Sequence, residues 1–235
     1  GDDHAVGLVL LLGVIVTCCR PVVASQPTAR KFLVVGYLPE YRVGNLDETV
    51  CQHLDELVFF SVEPRSNGTL DTSRLKPAAV KLLRNLKQKY RFRLRLCIGG
   101  WEWSTAFATC TADDAARRRF INQMITCCHS RGFDGVDLDW EHPKGAAQQA
   151  AYTRLIVETK AAFRLQKLSV TAAIAGWQQL SAVAAKSLDR IHLMSYDAEG
   201  QHSTLLQARK DIHRPVSYTH LRAHETRHDL VCRLL

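Results

Sequence analysis

A chain of 235 residues is long enough for one domain with a sizeable core, and 46% hydrophobic with 23% charged residues is an ordinary globular composition, which excludes wholesale disorder. The formal charge of +8 would suit an acidic partner, but the lysines and arginines are scattered along the chain. Their densest run, Lys81, Arg84, Lys87, Lys89, Arg91, Arg93 and Arg95, has only Tyr90 and Phe92 interleaved. It reads as a solvated helix face running into a strand, and no nucleic-acid partner is expected.

Residues 1–25 carry an apolar run at 5–19, too short for a comfortable membrane span, followed by the small-residue stretch Val22-Val23-Ala24-Ser25. This segment reads as a secretory signal peptide or a signal anchor, so a secreted protein without a stable membrane span is expected. The sequon Asn67-Gly68-Thr69 fits export and a glycoprotein. Outside the leader and Cys232, the cysteines are Cys51, Cys97, Cys110, Cys127 and Cys128, with no CxxC spacing. No zinc site is expected from them.

After a linker, 32–37 is an apolar run of strand length, 45–55 has helical spacing, and 57–62 is a second buried strand. Residues 76–90 repeat apolar positions at helical intervals, with Pro77 near the start, where proline is tolerated. A third strand at 92–98 closes on Gly99-Gly100. An amphipathic helix at 113–131 stops at Gly132. A further helix at 146–165, a strand at 168–174, a short helix at 178–187 and a strand at 190–196 follow. Strands buried on both faces and alternating with helices predict a parallel sheet covered by helices. Six successive units without a dinucleotide fingerprint favour an α/β fold of the (β/α)8 TIM-barrel type, incomplete, with about six βα units present. The domain is expected over 26–214. The tail 215–235 does not continue the pattern and resembles translated sequencing-adapter read-through, so it is expected not to belong to the fold. Its histidines His220, His224 and His228 are not expected to hold a metal.

The fourth strand carries the chemistry. In 133–141, FDGVDLDWE, Val136, Leu138 and Trp140 alternate with Asp137, Asp139 and Glu141. Alternate strand residues share a face about 6.6 Å apart. The pattern therefore lines up three carboxylates on one side of a strand whose other side is apolar, an expensive arrangement unless something uses it. Barrel chemistry sits at the C-terminal ends of strands, where Glu141, Gly99-Gly100 and Tyr196-Asp197 all fall. Such a set admits either a divalent metal on oxygen ligands or acid catalysis by a carboxyl kept protonated through crowding. Trp101, Trp103, Trp140 and Trp177 near strand ends suit a sugar ring better than a bare ion, with core packing the favoured reading for Trp140. No metal and no cofactor are expected.

Asp134-x-x-Asp137-x-Asp139-x-Glu141 resembles the DxxDxDxE signature of glycoside hydrolase family 18, the chitinases and their relatives. VVGY on the first strand, IGGW after the third and MSYD on the sixth follow the family's order, over roughly 31–200. The resemblance implies that Glu141 is the general acid and that the substrate's own N-acetyl oxygen is the nucleophile, giving net retention. It implies that Asp139 orients the acetamido group, that Asp137 holds the charge state of Asp139, and that the three titrate as a coupled set. Tyr196, Asp197, Met194, Tyr37 and Trp101 would bind the sugar, with Asp134, Gly99 and Gly100 as motif support. The expected partner is chitin or an N-acetylglucosamine oligosaccharide, bound by a monomer.

Three positions depart from the family pattern. Cys97 stands where a serine commonly supports the deep aspartate. Gly36 stands where a cysteine would pair with Cys51. The strand-eight tryptophan that floors the sugar site has no counterpart. Within the same chemistry, an endo-β-N-acetylglucosaminidase acting on N-glycans is the alternative. A non-catalytic chitinase-like lectin is the rival from another class, disfavoured because Glu141 is present.

Overall fold

A computed structural model describes residues 33–197 and 203–213. The leader, the tail and its three histidines lie outside the described residues.

Six parallel strands form the wall: β1 (Val35–Pro39), β2 (Glu56–Pro64), β4 (Arg93–Gly99), β5 (Gly135–Asp139), β6 (Ser169–Ala175) and β7 (Arg190–Met194), each paired to the next in that order. A two-residue strand β3 (Leu70–Asp71) pairs antiparallel with the end of β2. The α-helices among the described residues are α1 (Pro77–Tyr90), α2 (Phe107–Ala112), α3 (Asp114–Arg131), α4 (Gly145–Gln166), α5 (Ala182–Ser187) and α6 (Leu205–His213). The fold is the α/β architecture of a partial (β/α)8 barrel, as the alternating sequence pattern predicts.

Local chemistry sets the helix ends. Pro77 occupies the first turn of α1, where its missing N–H costs nothing. Asp113 caps α3 by accepting from the Ala116 amide at 2.7 Å, and Gly132 closes it at φ +79°. On α4, Tyr152, Leu155, Ile156, Thr159 and Phe163 recur at helical spacing and are all buried.

The two faces of the sheet differ. Outward residues such as Leu57, Phe59, Leu94, Leu96, Ile98, Val136, Leu138, Val170 and Ile174 form one continuous core with the helices. The inward face is small and largely polar, with Val35, Val58 and Cys97 packed beside Tyr37 and Phe60. Although β1 and β7 are the outermost parallel strands, the Tyr37 hydroxyl of β1 lies 2.6 Å from His192 Nδ1 of β7. The sheet is therefore curled as a barrel wall is. At the N-terminal ends of the strands, Glu56 Oε1 meets Arg95 Nε at 2.5 Å and Arg190 Nη1 at 3.0 Å, which ties β2, β4 and β7 across the interior.

Several boundaries differ from expectation. The helical pattern at 45–55 is realised as two 3-10 segments, Glu40–Asn45 and Glu48–His53. Asp47 accepts from both the amide and the hydroxyl of Thr49, at 2.9 and 2.7 Å, a local bond that competes with a continuous helix. The short helix expected from 178 begins at Ala182, where Ser181 caps it by accepting from the Ala184 amide. The acidic strand ends at Asp139 rather than 141, and the sixth at Met194 rather than 196. β3, α2 and α6 carry no periodic signal long enough to be anticipated.

Candidate active site

The register places Cys97 beside Asp137 and Gly99 beside Asp139, so the inward positions of β4 and β5 run in parallel towards the C-terminal end. Asp137 is the deeper carboxylate and has no exposure to solvent. Tyr37 Oη donates to its Oδ2 at 2.7 Å, Thr171 Oγ1 donates to its Oδ1 at 2.5 Å, and His192 Nδ1 lies 3.1 Å from Oδ1. Burial alone would raise the pKa of Asp137. The facing charge of His192 and the hydrogen bonds from His192, Thr171 and Tyr37 outweigh it and hold the carboxyl below its ordinary value. Burial, then the charge of Asp137, pushes the Tyr37 phenol well up, so Tyr37 remains a donor. Burial and the three carboxylates do the same to the Cys97 thiol, which stays neutral.

Above Asp137 the chain leaves the ladder, and Ser104 fastens it. The Glu141 amide donates to Ser104 Oγ at 3.0 Å, while that oxygen lies 2.9 Å from the Gly100 carbonyl and 3.0 Å from the Asp139 carbonyl, both acceptors for its hydrogen. The Gly100 amide also donates to the Asp139 carbonyl at 2.8 Å. Gly99 and Gly100 adopt φ of +96° and +105°, and a Cβ on either would overlap its neighbours, at Gly100 the ring of Phe60 at 2.3 Å. The glycine pair is thus required by the close approach of the β4 and β5 ends.

These ends open into a cleft of about 530 Å³ lined by Tyr37, Asp139, Glu141, Met194, Tyr196 and Asp197 among others. Asp197 holds a left-handed backbone at φ +59°. Trp101 and Trp177 stand at the rim, 69% and 62% exposed. Trp103 lies under the Arg74 guanidinium, 3.6 Å from the ring centroid, and beside Phe60. Trp140 is buried, stacked on Phe107 with ring centroids 5.2 Å apart, and contributes packing. His142 Nε2 lies 3.6 Å from Glu141 Oε2, its Nδ1 is 3.1 Å from the Gln178 side-chain oxygen, and its ring abuts Trp177.

Of the residues singled out from sequence, Asp139, Glu141, Tyr37, Met194, Tyr196, Asp197 and Trp101 line this one cleft, with Asp137 directly beneath. Asp134 lies at the other end of β5, where it accepts from the Leu94 amide at 2.8 Å and pairs with Lys87 at 2.6 Å. It ties α1 and β4 to β5 and is not among the cleft residues. His192, His142, Thr171 and Ser104 were not anticipated. His192 shares strand parity with Met194, and Thr171 is an alternate position of the predicted strand 168–174, so the period of two was a usable signal for both. Cys51 is a free, buried thiol, as are the other four cysteines in the described region. Among the described residues no group of three or more His, Cys, Asp or Glu is placed to hold a metal, and no helix is long and apolar enough to cross a membrane.

A curled parallel wall with carboxylates and aromatic side chains at the C-terminal strand ends defines the class as a partial (β/α) barrel with an acidic, aromatic-lined cleft. The sequence pattern of the glycosyl hydrolases family 18 matches residues 33–233, and the chain belongs to that family. It is 38% identical over 125 residues to a probable endochitinase of Caenorhabditis elegans, which covers 47% of this chain and 20% of that protein. It is 30% identical over 173 residues to chitotriosidase-1 of Mus musculus, covering 65% and 36%. The chain therefore spans well under half the length of these relatives. Among solved structures, the chitinase ChiB of Flavobacterium johnsoniae superimposes with a TM-score of 0.68 at 20% identity, covering 78% of this chain and 63% of that one. The Ostrinia furnacalis Group IV chitinase, solved with allosamidin, gives 0.64 at 22% identity, covering 71% and 51%. These two likenesses concern the fold.

Proposed function

We propose that the protein is a secreted glycosidase that cleaves β-1,4-linked N-acetylglucosamine in chitin or chito-oligosaccharides, with Glu141 as general acid. The observation that carries this reading is the placement of Asp139 and Glu141 in one cleft with Tyr196, Asp197 and two exposed tryptophans, above an ionised Asp137. Aromatic faces offer flat apolar area for a sugar ring, and the carboxyls supply the proton chemistry. Glu141 donates its proton to the glycosidic oxygen as that bond breaks. The carbonyl oxygen of the substrate's acetamido group, oriented by Asp139, bonds to the anomeric carbon and forms an oxazolinium ion. Water then opens this ion and gives its proton to Glu141, restoring the acid with net retention. The relatives are named as chitinases, which supports chitin over N-glycans as the substrate.

The test is Glu141→Gln in the full-length protein. Release of reducing ends from chitotetraose is expected to fall by about 10²–10⁴-fold, the usual share of a general acid, while binding of the tetraose is retained. Unchanged turnover overturns the assignment. Binding without cleavage by the wild-type protein would make it a lectin.

A further inference from the structure

The deep carboxylate is held by a residue outside the acidic signature. A phenol has one hydrogen, and Asp137 Oδ2 takes the one on Tyr37 at 2.7 Å. The 2.6 Å contact between Tyr37 Oη and His192 Nδ1 must then run from Nδ1–H to the phenol oxygen, which places a hydrogen on Nδ1. The same nitrogen lies 3.1 Å from Asp137 Oδ1. His192 is 2% exposed, its Nε2 has no hydrogen-bond partner among the described residues, and it belongs to the lining of the cleft. Cys97 stands beside Asp137 in the ladder, and a thiol is a weak hydrogen-bond donor.

We propose that His192 is the positioning residue of Asp137, fixing the deep carboxylate in place and in its charged form and so supplying the support that Cys97 does not give. The inference rests on the reading of the cleft as a glycosidase site. The titratable groups around Asp137 are Tyr37 from β1, Cys97 from β4, Asp139 on β5, His192 from β7 and Tyr152 from α4. β2 presents Val58 at this depth, β6 presents Thr171, and the Glu56, Arg95 and Arg190 cluster lies one inward position below. Of the groups at the level of Asp137 itself, His192 alone can carry positive charge. With Asp137 kept ionised, a proton shared among the carboxyls resides on Asp139 and Glu141, where the substrate binds.

The direction of the pH effect follows. The native pKa of Asp137 lies below its ordinary value, so its ionised state is complete above that value and is lost only as pH falls through the native one. Without His192, the charge and one of the hydrogen bonds that offset burial are lost, and protonation occurs at higher pH.

In the full-length protein, His192→Asn keeps an N–H donor and removes the titratable ring. The acid limb of the kcat profile is expected to rise by about one pH unit, a loss of about tenfold in kcat at a pH one unit below the wild-type limb, with KM changed less than about twofold. Adding Cys97→Ser is expected to return part of that shift, because a hydroxyl then faces Asp137. An unmoved acid limb, or a limb that the serine does not restore at all, overturns the proposal. Imidazole ¹⁵N chemical shifts of His192 in the wild-type protein decide it independently of turnover and of whether the variant folds. A hydrogen on Nδ1, in the neutral ring or in the imidazolium, supports it, and a neutral ring protonated at Nε2 alone overturns it. A wild-type protein that cleaves no chitin sinks the functional reading while leaving this arm intact.

Discussion

Gly99→Ala probes the joint between β4 and β5. At Gly99 φ is +96°, and an added Cβ would lie 2.4 Å from the Asp139 carbonyl oxygen, 2.7 Å from Phe107 Cε2 and 3.2 Å from Ser104 Oγ. The first of these is backbone held in the ladder, and Phe107 is fully buried and stacked on Trp140, so neither yields cheaply. A side chain at positive φ costs about 1–2 kcal/mol, and overpacking adds about 1–3 kcal/mol. A total near 3 kcal/mol corresponds to a fall in melting temperature of roughly 6–12 °C for a domain of this size. Because the displaced carbonyl belongs to Asp139, kcat for chitotetraose is also expected to fall by about 10², the effect of a misplacement of about 1 Å. Gly44, where an added Cβ meets nothing within 4 Å, is the control, with an expected change under about 0.5 kcal/mol. Thermal melts and initial rates on the two variants give the comparison. If Gly99→Ala melts within 2 °C (about 1 kcal/mol or less) of Gly44→Ala and keeps its kcat, the claim that this joint positions Asp139 is wrong.

Glu56→Gln leaves the Arg95 and Arg190 guanidinium groups facing a neutral amide in the interior, and urea unfolding is expected to show a loss of about 3–5 kcal/mol; a loss below about 1 kcal/mol refutes the tie across the barrel floor. Burial pushes the Cys110 thiol up to about 12 and the Cys97 and Cys128 thiols up as well. Iodoacetamide at pH 8 should therefore leave these three unlabelled in the native protein and label them in urea, with peptide mass spectrometry as the readout. Trp177→Ala removes an exposed ring at the cleft rim, so KM for chitotetraose is expected to rise about 2- to 10-fold, with kcat little changed. A pure kcat effect would place this ring outside the binding surface.

The barrel class was legible because its strands are buried on both faces and its helices carry a period of 3.6. Those two signals hold for β2, β4 and α3, whose burial is nearly complete along one face or both. The pattern at 45–55 misled because helical spacing says nothing about Asp47, whose side chain captures the Thr49 amide and stops the helix. The acidic alternation of 133–141 was read as one strand, and the alternation does continue to Glu141. The ladder does not, because Ser104, a residue from the β4 loop, takes the Glu141 amide. No local pattern announces a bond across 37 positions. Asp137 and Asp139 were visible from parity, whereas the partners that make Asp137 tolerable come from β1, β6 and β7 and become its neighbours only when the sheet curls.

The interior of the wall is graded along its axis, and the grading assigns the carboxyls their different capacities. At the floor, Glu56 sits between two arginines and neutralises only part of their charge. One level up, Asp137 has both oxygens engaged and no exposure, so it can set a field but cannot reach a ligand. At the mouth, Glu141 and the nearly buried Asp139 line the cleft, where the proposed mechanism has Glu141 exchange a proton with bound substrate. A like charge beneath Asp139 and Glu141 disfavours full ionisation of the upper pair. In the proposed mechanism this is the condition under which Glu141 would hold the proton that a general acid requires. The support that keeps Asp137 ionised comes from three other strands, so its charge state depends on the curl of the whole sheet as well as on the acidic strand itself.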